Sequence, residues 1–399
     1  MSSKKDVLKL MKERLQTKID AAWEYVRTRL FYDETELIYD HVIDDLDYFP
    51  TREDADASFP NPCGYGTGME DSMINGASML LACIGRYRRE GRAEDEALAH
   101  RLVSGILRCF SAARSQGFLP RSVTPCDGVS HYIDSSRDQY TLCVYGMHVY
   151  WNSGLSNEDE RLRIADMLTA FARRADKNVT PENGYDLLRE DGMPSLCNVM
   201  WGDSLGNHET LRLPMIYLAA WEVSGERHWY SQYLRYRDEA IRRALPMAGR
   251  YWHLYTLQQM QMSARLCYDL EENDEKKKDY LNVMREVAYF IEERIPQTHA
   301  ALEARDDYNA PFLSYKKTPL EKRRVSVAGD CPNYSPVRAE ADSFFVLQDA
   351  IDTLTVLRLC PGWKENEAAT ELYLAAIDKI DFQTHVTSVP VQMLEAYYT

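Results

Sequence analysis

The chain has 399 residues, 45% of them hydrophobic and 27% charged, a balance that supports a sizeable buried core and excludes wholesale disorder. Its net charge of −15 comes from acids spread along the whole length, which excludes a nucleic-acid partner and a protein drawn to an anionic membrane. Glycines number only 19 and prolines 16, against average usage of about 7% and about 5%, so tight turns are few and helices are favoured.

Apolar residues recurring at helical spacing predict helices near 4–31, 70–89, 94–114, 136–153, 156–176, 206–224, 226–245, 251–272, 275–294, 340–359, 364–380 and 389–398, twelve in all. Two kinds alternate. AEDEALAHRLVSGILRCFSAA, SNEDERLRIADMLTAFARRADKN and DEKKKDYLNVMREVAYFIEERIP each carry a charged face, as a helix with one side in water does. DSMINGASMLLACIG, QYTLCVYGMHVYW, ETLRLPMIYLAAW and SFFVLQDAIDTLTVL are apolar nearly all round and must be covered on most sides. Links from an inner helix to the next outer one are short (SGERH, ENDE, CPGWKENE), whereas links back are long, near 32–69, 115–135, 177–205 and 295–339. Six helical hairpins with this asymmetry predict an all-α fold, a single (α/α)6 barrel over residues 1–399 with a cleft built by the long loops. An open solenoid is disfavoured, because no motif recurs at a period of about 34 or about 40 residues.

Nine cysteines stand singly, without a CxxC pair or metal-ligand spacing to histidine, which predicts reduced thiols rather than a disulfide framework or a metal site. The opening MSSKKDVLKLMKERL lacks the apolar core of a signal peptide, and no run of about 18 apolar residues occurs. As it stands the chain is expected to be soluble and cytoplasmic, or periplasmic or secreted if a native leader has been removed. Neither HExxH, GxSxG, a P-loop nor an EF-hand loop is present, so no metal or nucleotide cofactor is expected.

The stretch GYGTGMEDSMINGASM, residues 64–79, brings acids to the mouth of an apolar helix. Gly64, Gly66 and Gly68 make GxGxG rather than the dinucleotide fingerprint, and FPNPC before them is no strand. Thr67 and Glu70 have the T-x-x-E spacing of a capping box. Asp71 is left over; with Asn75 and Ser78 it makes a polar stripe at i, i+4 and i+7. Such an aspartate is either a hydrogen-bonded core group near a positive helix end or a catalytic carboxylate. SSRDQY repeats the design: Ser136 and Gln139 have capping-box spacing, and Asp138 heads a stripe with Thr141, Tyr145 and His148. In a barrel both aspartates project into one cleft.

Other inner-helix starts are polar too. WGDSLGNHET offers Trp201, Asp203, Asn207, His208 and Glu209; YWHLY offers Tyr251, Trp252, His253 and Tyr255; SPVRAEAD offers Arg338, Glu340 and Asp342. With Tyr65, Tyr132 and Tyr334 they describe aromatic faces, carboxylates and bases suited to a sugar ring. Arg137 and Arg338 either hold a sugar carboxylate in bidentate fashion or belong to internal ion pairs.

The helical pattern over nearly the whole chain, together with GMEDSM and SSRDQY, resembles the six-hairpin glycosidase superfamily, and within it the unsaturated uronyl (glucuronyl or rhamnogalacturonyl) hydrolases. That resemblance implies an oligosaccharide substrate and two aspartates acting together at inner-helix starts. One protonates the C4=C5 bond of an unsaturated uronic acid and then activates the water that adds at C5. Asp138 would be that general acid/base and Asp71 the partner that tunes its proton. Beside it stand a conventional glycoside hydrolase using the two carboxylates, whose separation decides retention or inversion, and two readings of other classes. One is an (α/α) polysaccharide lyase with His208 or Tyr255 as base and Asn207 and Arg137 neutralising the substrate carboxylate. The other is a silent toroid that binds a glycan or a protein.

Overall fold

A computed structural model describes residues 4–44, 46–195, 197–247, 253–309, 337–364 and 366–399, with side chains in the first helix from Glu13 and in the helix at 337–359 from Ser343. Among them regular structure is almost wholly helical: α1 (Lys4–Tyr25), α2 (Arg52–Asp56), α3 (Ser72–Glu90), α4 (Ala93–Ala112), α5 (Arg137–Trp151), α6 (Glu158–Asn178) and α7 (Arg212–Ser224). These are followed by α8 (Arg227–Ala244), α9 (Tyr255–Leu270), α10 (Asp274–Glu292), α11 (Ile295–Glu303), α12 (Val337–Leu359), α13 (Glu367–Asp378) and α14 (Val389–Tyr398). A two-residue hairpin, β1 (Phe31–Tyr32) against β2 (Leu37–Ile38), pairs Phe31 with Ile38.

Each predicted helix has a counterpart, with differences that have local causes. The helix expected from 206 begins at Arg212, after a separate 3-10 turn at Asn207–Glu209. That turn bends because the Glu209 carboxylate folds back to accept the Gly206 N–H at 2.9 Å. Two helices lie inside segments expected to be loops. The five residues of α2 are too few to show a period, and its start is a Thr51–Asp54 capping box. A proline at the start of α11 looks like a helix stop in sequence but is tolerated in a first turn, where no N–H partner is missing.

The two kinds of helix are evident in burial. In α5 every residue from Gln139 to His148 is buried, whereas α8 buries a stripe, Trp229, Tyr233, Tyr236, Ala240 and Ala244, spaced three or four apart. Inner α3 and α7 end on Gly91 and Gly225, whose φ values of 67° and 70° only glycine adopts cheaply. Each glycine N–H bonds the last turn, at Tyr87 O and Trp221 O, and the chain passes at once into the next outer helix. Helix α3 packs against α4, α5 and α14; α7 packs against α5, α6, α8 and α9; α12 packs against α9, α10, α11, α13 and α14.

Some of these contacts leave no room for a side chain. A Cβ on Gly105 of α4 would lie 2.1 Å from the Glu36 carbonyl oxygen. Glu36 holds that carbonyl in place with φ 60° and an ion pair to Arg101 at 3.1 Å. Gly105→Ala should therefore lower the urea midpoint, although alanine is the better helix former by about 1 kcal/mol, because overpacking against backbone costs about 1–3 kcal/mol. A midpoint that stays or rises would show that the hairpin yields without cost.

Candidate active site

The start of α3 is capped by a residue far away in sequence. Asp40 Oδ2 accepts the N–H groups of Glu70 at 2.6 Å and Asp71 at 3.2 Å, while its Oδ1 accepts the Asn75 side-chain amide at 2.9 Å. This corrects the Thr67–Glu70 capping box expected from the spacing. Thr67 Oγ1 donates to Gly64 O at 2.5 Å and accepts the Met69 N–H at 3.2 Å, and the Glu70 carboxylate accepts the Gly66 N–H. The reason lies in the glycines: Gly64, Gly66 and Gly68 have φ of 70°, 82° and 84°, so GYGTG coils on itself and spends Thr67 and Glu70 inside the loop. Asp71 occupies the N-cap position, yet its side chain makes no capping bond.

The start of α5 is half as expected. Ser136 Oγ accepts the Gln139 N–H at 3.4 Å, but Gln139 does not reciprocate. Its amide instead donates to Glu70 O at 3.0 Å and to Asp71 Oδ1 at 2.7 Å. One side chain thereby ties the two inner-helix starts together and aims Asp71.

Asp71 and Asp138 line the same cavity, of about 330 Å³. Tyr65, Arg121, Tyr255 and Phe345 share the lining, and Asn75 and Ser78 continue it along the α3 stripe. The environments of the two acids differ. Burial raises the Asp71 pKa, Arg121 and Gln139 pull it down, Asp138 pushes it up, and the net direction is upward from 3.8. Arg121 Nη1 stands 3.6 Å from Asp71, whose side chain is 44% exposed. Burial acts on Asp138 in the same sense, but Arg212, Arg137 and Arg121 outweigh it and the net direction is downward. Arg212 Nη1 lies 2.5 Å from Asp138 Oδ1. Asp40 is itself raised, by burial and by Asp71 and Glu70, and its backbone hydrogen bonds only partly compensate.

Several expected residues stand elsewhere. Arg137 does not line the cavity; it forms an ion pair with Glu209 and donates to Val199 O at 3.4 Å, so it is no free clamp for a sugar carboxylate. Trp201 packs edge-on against Tyr236, 4.8 Å between centroids, and the Arg243 guanidinium lies 5.2 Å from its ring. Asp203 is exposed, and His208, lowered by burial, sits beside Glu209 at 3.8 Å; neither belongs to the lining. His253 backs the cavity wall, stacked on Phe345 with centroids 4.0 Å apart. Tyr145 and His148 line a second cavity, of about 460 Å³, where His148 bonds Glu222. Trp252, Tyr251 and Tyr334 and the side chains of Arg338, Glu340 and Asp342 lie outside the described residues.

Asp40, Arg121, Arg212 and Phe345 were not singled out in sequence. Asp40 and Arg121 sit in long loops without periodicity. Arg121, 3% exposed, donates to Tyr65 Oη at 2.8 Å, to Glu70 O at 3.2 Å and to Ser135 O at 3.2 Å. Arg212 carried a usable signal: a cation in the first turn of an otherwise apolar helix, the same oddity that marked Asp138. Among the described residues no cluster of His, Cys, Asp or Glu is arranged to hold a metal ion, and no helix is long and apolar enough to cross a membrane.

No protein-family model matches the chain, and no curated protein matches it. Among solved structures it is similar to the crystal structure of a sugar epimerase from a ruminal bacterium, with a TM-score of 0.49 and 10% sequence identity over 95% of this chain and 98% of that chain.

Proposed function

We propose that the chain is a single (α/α)6 barrel whose cavity hydrolyses an oligosaccharide, with Asp71 as proton donor and Asp138 as the ionised partner. Helix neighbours support the barrel: α3 touches α5, α5 touches α7, and the sequence continues through α9, α12 and α14 back to α3. The observation that carries the chemistry is the pair of carboxyls on one cavity whose surroundings push their pKa values apart. The resemblance implied the opposite assignment, with the proton on Asp138. Three arginines around Asp138 make it the poorer proton carrier of the two.

On an unsaturated uronide, Asp71 delivers its proton to C4 of the C4=C5 bond. Asp138 takes a proton from the water that adds at C5. The resulting hemiketal opens and the linkage is lost. Tyr65, Tyr255 and Phe345 offer apolar faces to the sugar. A lyase needs a base, and neither expected candidate suits: His208 is off the cavity, and burial and Asp138 hold the Tyr255 phenol above its ordinary range.

The ultraviolet absorbance of the alkene tests the class. Incubation with unsaturated acidic oligosaccharides should remove it. A gain with saturated acidic oligosaccharides would mean a lyase, and no change on either, or on neutral glycosides, a binding protein. The pH profile tests the roles. Activity requires protonated Asp71 and ionised Asp138, so kcat/KM should be bell-shaped, its acid limb falling below the ordinary aspartate value of 3.8 and its alkaline limb above it. An alkaline limb absent up to the range where the protein unfolds would remove Asp71 as the acid.

A further inference from the structure

Behind the cavity wall, Tyr65 and Arg121 meet two cysteines that the hydrolytic chemistry does not use. Tyr65 Oη accepts a hydrogen bond from Arg121 at 2.8 Å, which leaves its own O–H to face Cys197 Sγ at 3.6 Å. Cys63 and Cys197 are neighbours that influence each other's titration, and they share one network: Ser195 Oγ accepts the Cys197 N–H at 3.2 Å and donates to Asp134 Oδ2 at 2.9 Å. Cys63 donates its one proton to that same Asp134 Oδ2 at 3.3 Å. The two thiols therefore have unlike surroundings. Cys63, 6% exposed, aims its proton at a carboxylate and keeps it. Cys197, only half-buried, is faced by the Tyr65 hydroxyl and by the Arg121 charge.

We propose that Cys63 and Cys197 are a peroxide-reactive pair, in which Cys197 is the attacking thiolate and Cys63 the resolving thiol. The Cys197 sulfur attacks one oxygen of a hydroperoxide and the O–O bond breaks. Sulfur is oxidised by two electrons to the sulfenic acid, and the other oxygen leaves as alkoxide or hydroxide and takes up a proton. The Cys63 sulfur then loses its proton and displaces hydroxide from the sulfenic acid, giving a disulfide and one water. Consumption of one peroxide thus yields one disulfide, one alcohol or water from the peroxide, and one further water.

The chemistry agrees with the placement. The neighbouring Cys63 lowers the Cys197 pKa, burial opposes it, and Arg121 and Tyr65 lower it further, so of the two thiols Cys197 is the one that gives up its proton more readily. The pair is also wired to the cavity. The Cys197 carbonyl accepts the Arg137 N–H at 2.9 Å, in the first turn of α5 beside Asp138. Tyr65, its hydroxyl partner, lines the cavity itself. Thiol oxidation at this pair is independent of what the cavity turns over.

Treating the full chain with a small excess of hydrogen peroxide at pH 7, followed by thiol alkylation and peptide mass spectrometry, tests it. A Cys63–Cys197 cross-linked peptide should form, revert with dithiothreitol, and precede any change at the exposed Cys126. In Cys63→Ser, a sulfenic-acid trap such as dimedone should label Cys197. In Cys197→Ser, Cys63 should stay unmodified. Iodoacetamide at pH 6 should alkylate Cys197 at least tenfold faster than Cys126. Oxidation of Cys126 first, or of Cys197 to sulfinic acid without a cross-link in the wild-type protein, would overturn the assignment.

Discussion

Asp71→Asn is expected to lower kcat on the accepted substrate by about 10³-fold, within the range of about 10²–10⁴ that a positioned general acid supplies. Asparagine keeps the volume and still offers an oxygen to the Gln139 amide, which holds Asp71 at 2.7 Å in the wild type. What it lacks is the proton. Because the Asp71 side chain is 44% exposed, replacement by an isostere should change stability by less than about 1 kcal/mol, and a urea titration separates lost chemistry from lost fold. The alkaline limb of the pH profile should vanish with the residual activity, since no group then has to stay protonated. Asp138→Asn should instead remove the acid limb. If Asp71→Asn keeps wild-type kcat, the acid lies elsewhere in the cavity, and the raised Asp40 becomes the residue to replace.

The features legible in sequence were those written within one helix. Burial all round α5 and the stripe on α8 follow from composition at spacing 3.6, and so did the two kinds of helix and the position of Asp71 on a polar stripe; the stripe expected from Asp138 divides, with Tyr145 and His148 on the second cavity. Partnerships between segments were not legible. The N–H groups at the start of α3 go to Asp40, about thirty positions away, and the capping-box spacing of Thr67 and Glu70 was satisfied by a different local solution. Arg137 sits next to Asp138 in sequence but points to Glu209, whereas Arg212, 74 positions on, is the direct partner. Which of the two acids holds a proton more readily was not legible for the same reason: it depends on which acid the cations Arg121 and Arg212 reach, and that is a property of packing.

Arg212→Met should have the largest effect on stability, about 3 kcal/mol, at the low end of the cost of about 3–5 kcal/mol for breaking a buried ion pair. The low end is expected because the Asp138 side chain is 29% exposed and retains Arg137 and Arg121 nearby. Arg212 itself is 1% exposed, and its Nε has no hydrogen-bond partner among the described residues. A fold selecting only for stability gains little from such a side chain, since apolar replacement of both partners is often neutral or favourable. The double variant Arg212→Met, Asp138→Asn should therefore recover most of the lost stability and remain inactive. The pH dependence has a definite sign. Asp138 has a lowered folded pKa, so its pairing adds stability above the ordinary value of 3.8 and loses it as pH falls through the folded value. With Arg212 gone the chief lowering influence is removed, so this dependence should flatten and the acid limb of kcat/KM should move upward. An Arg212→Met protein as stable as wild type, with its acid limb unmoved, would mean that Asp138 is kept ionised by Arg137 and Arg121 alone and that Arg212 serves only to fill the core.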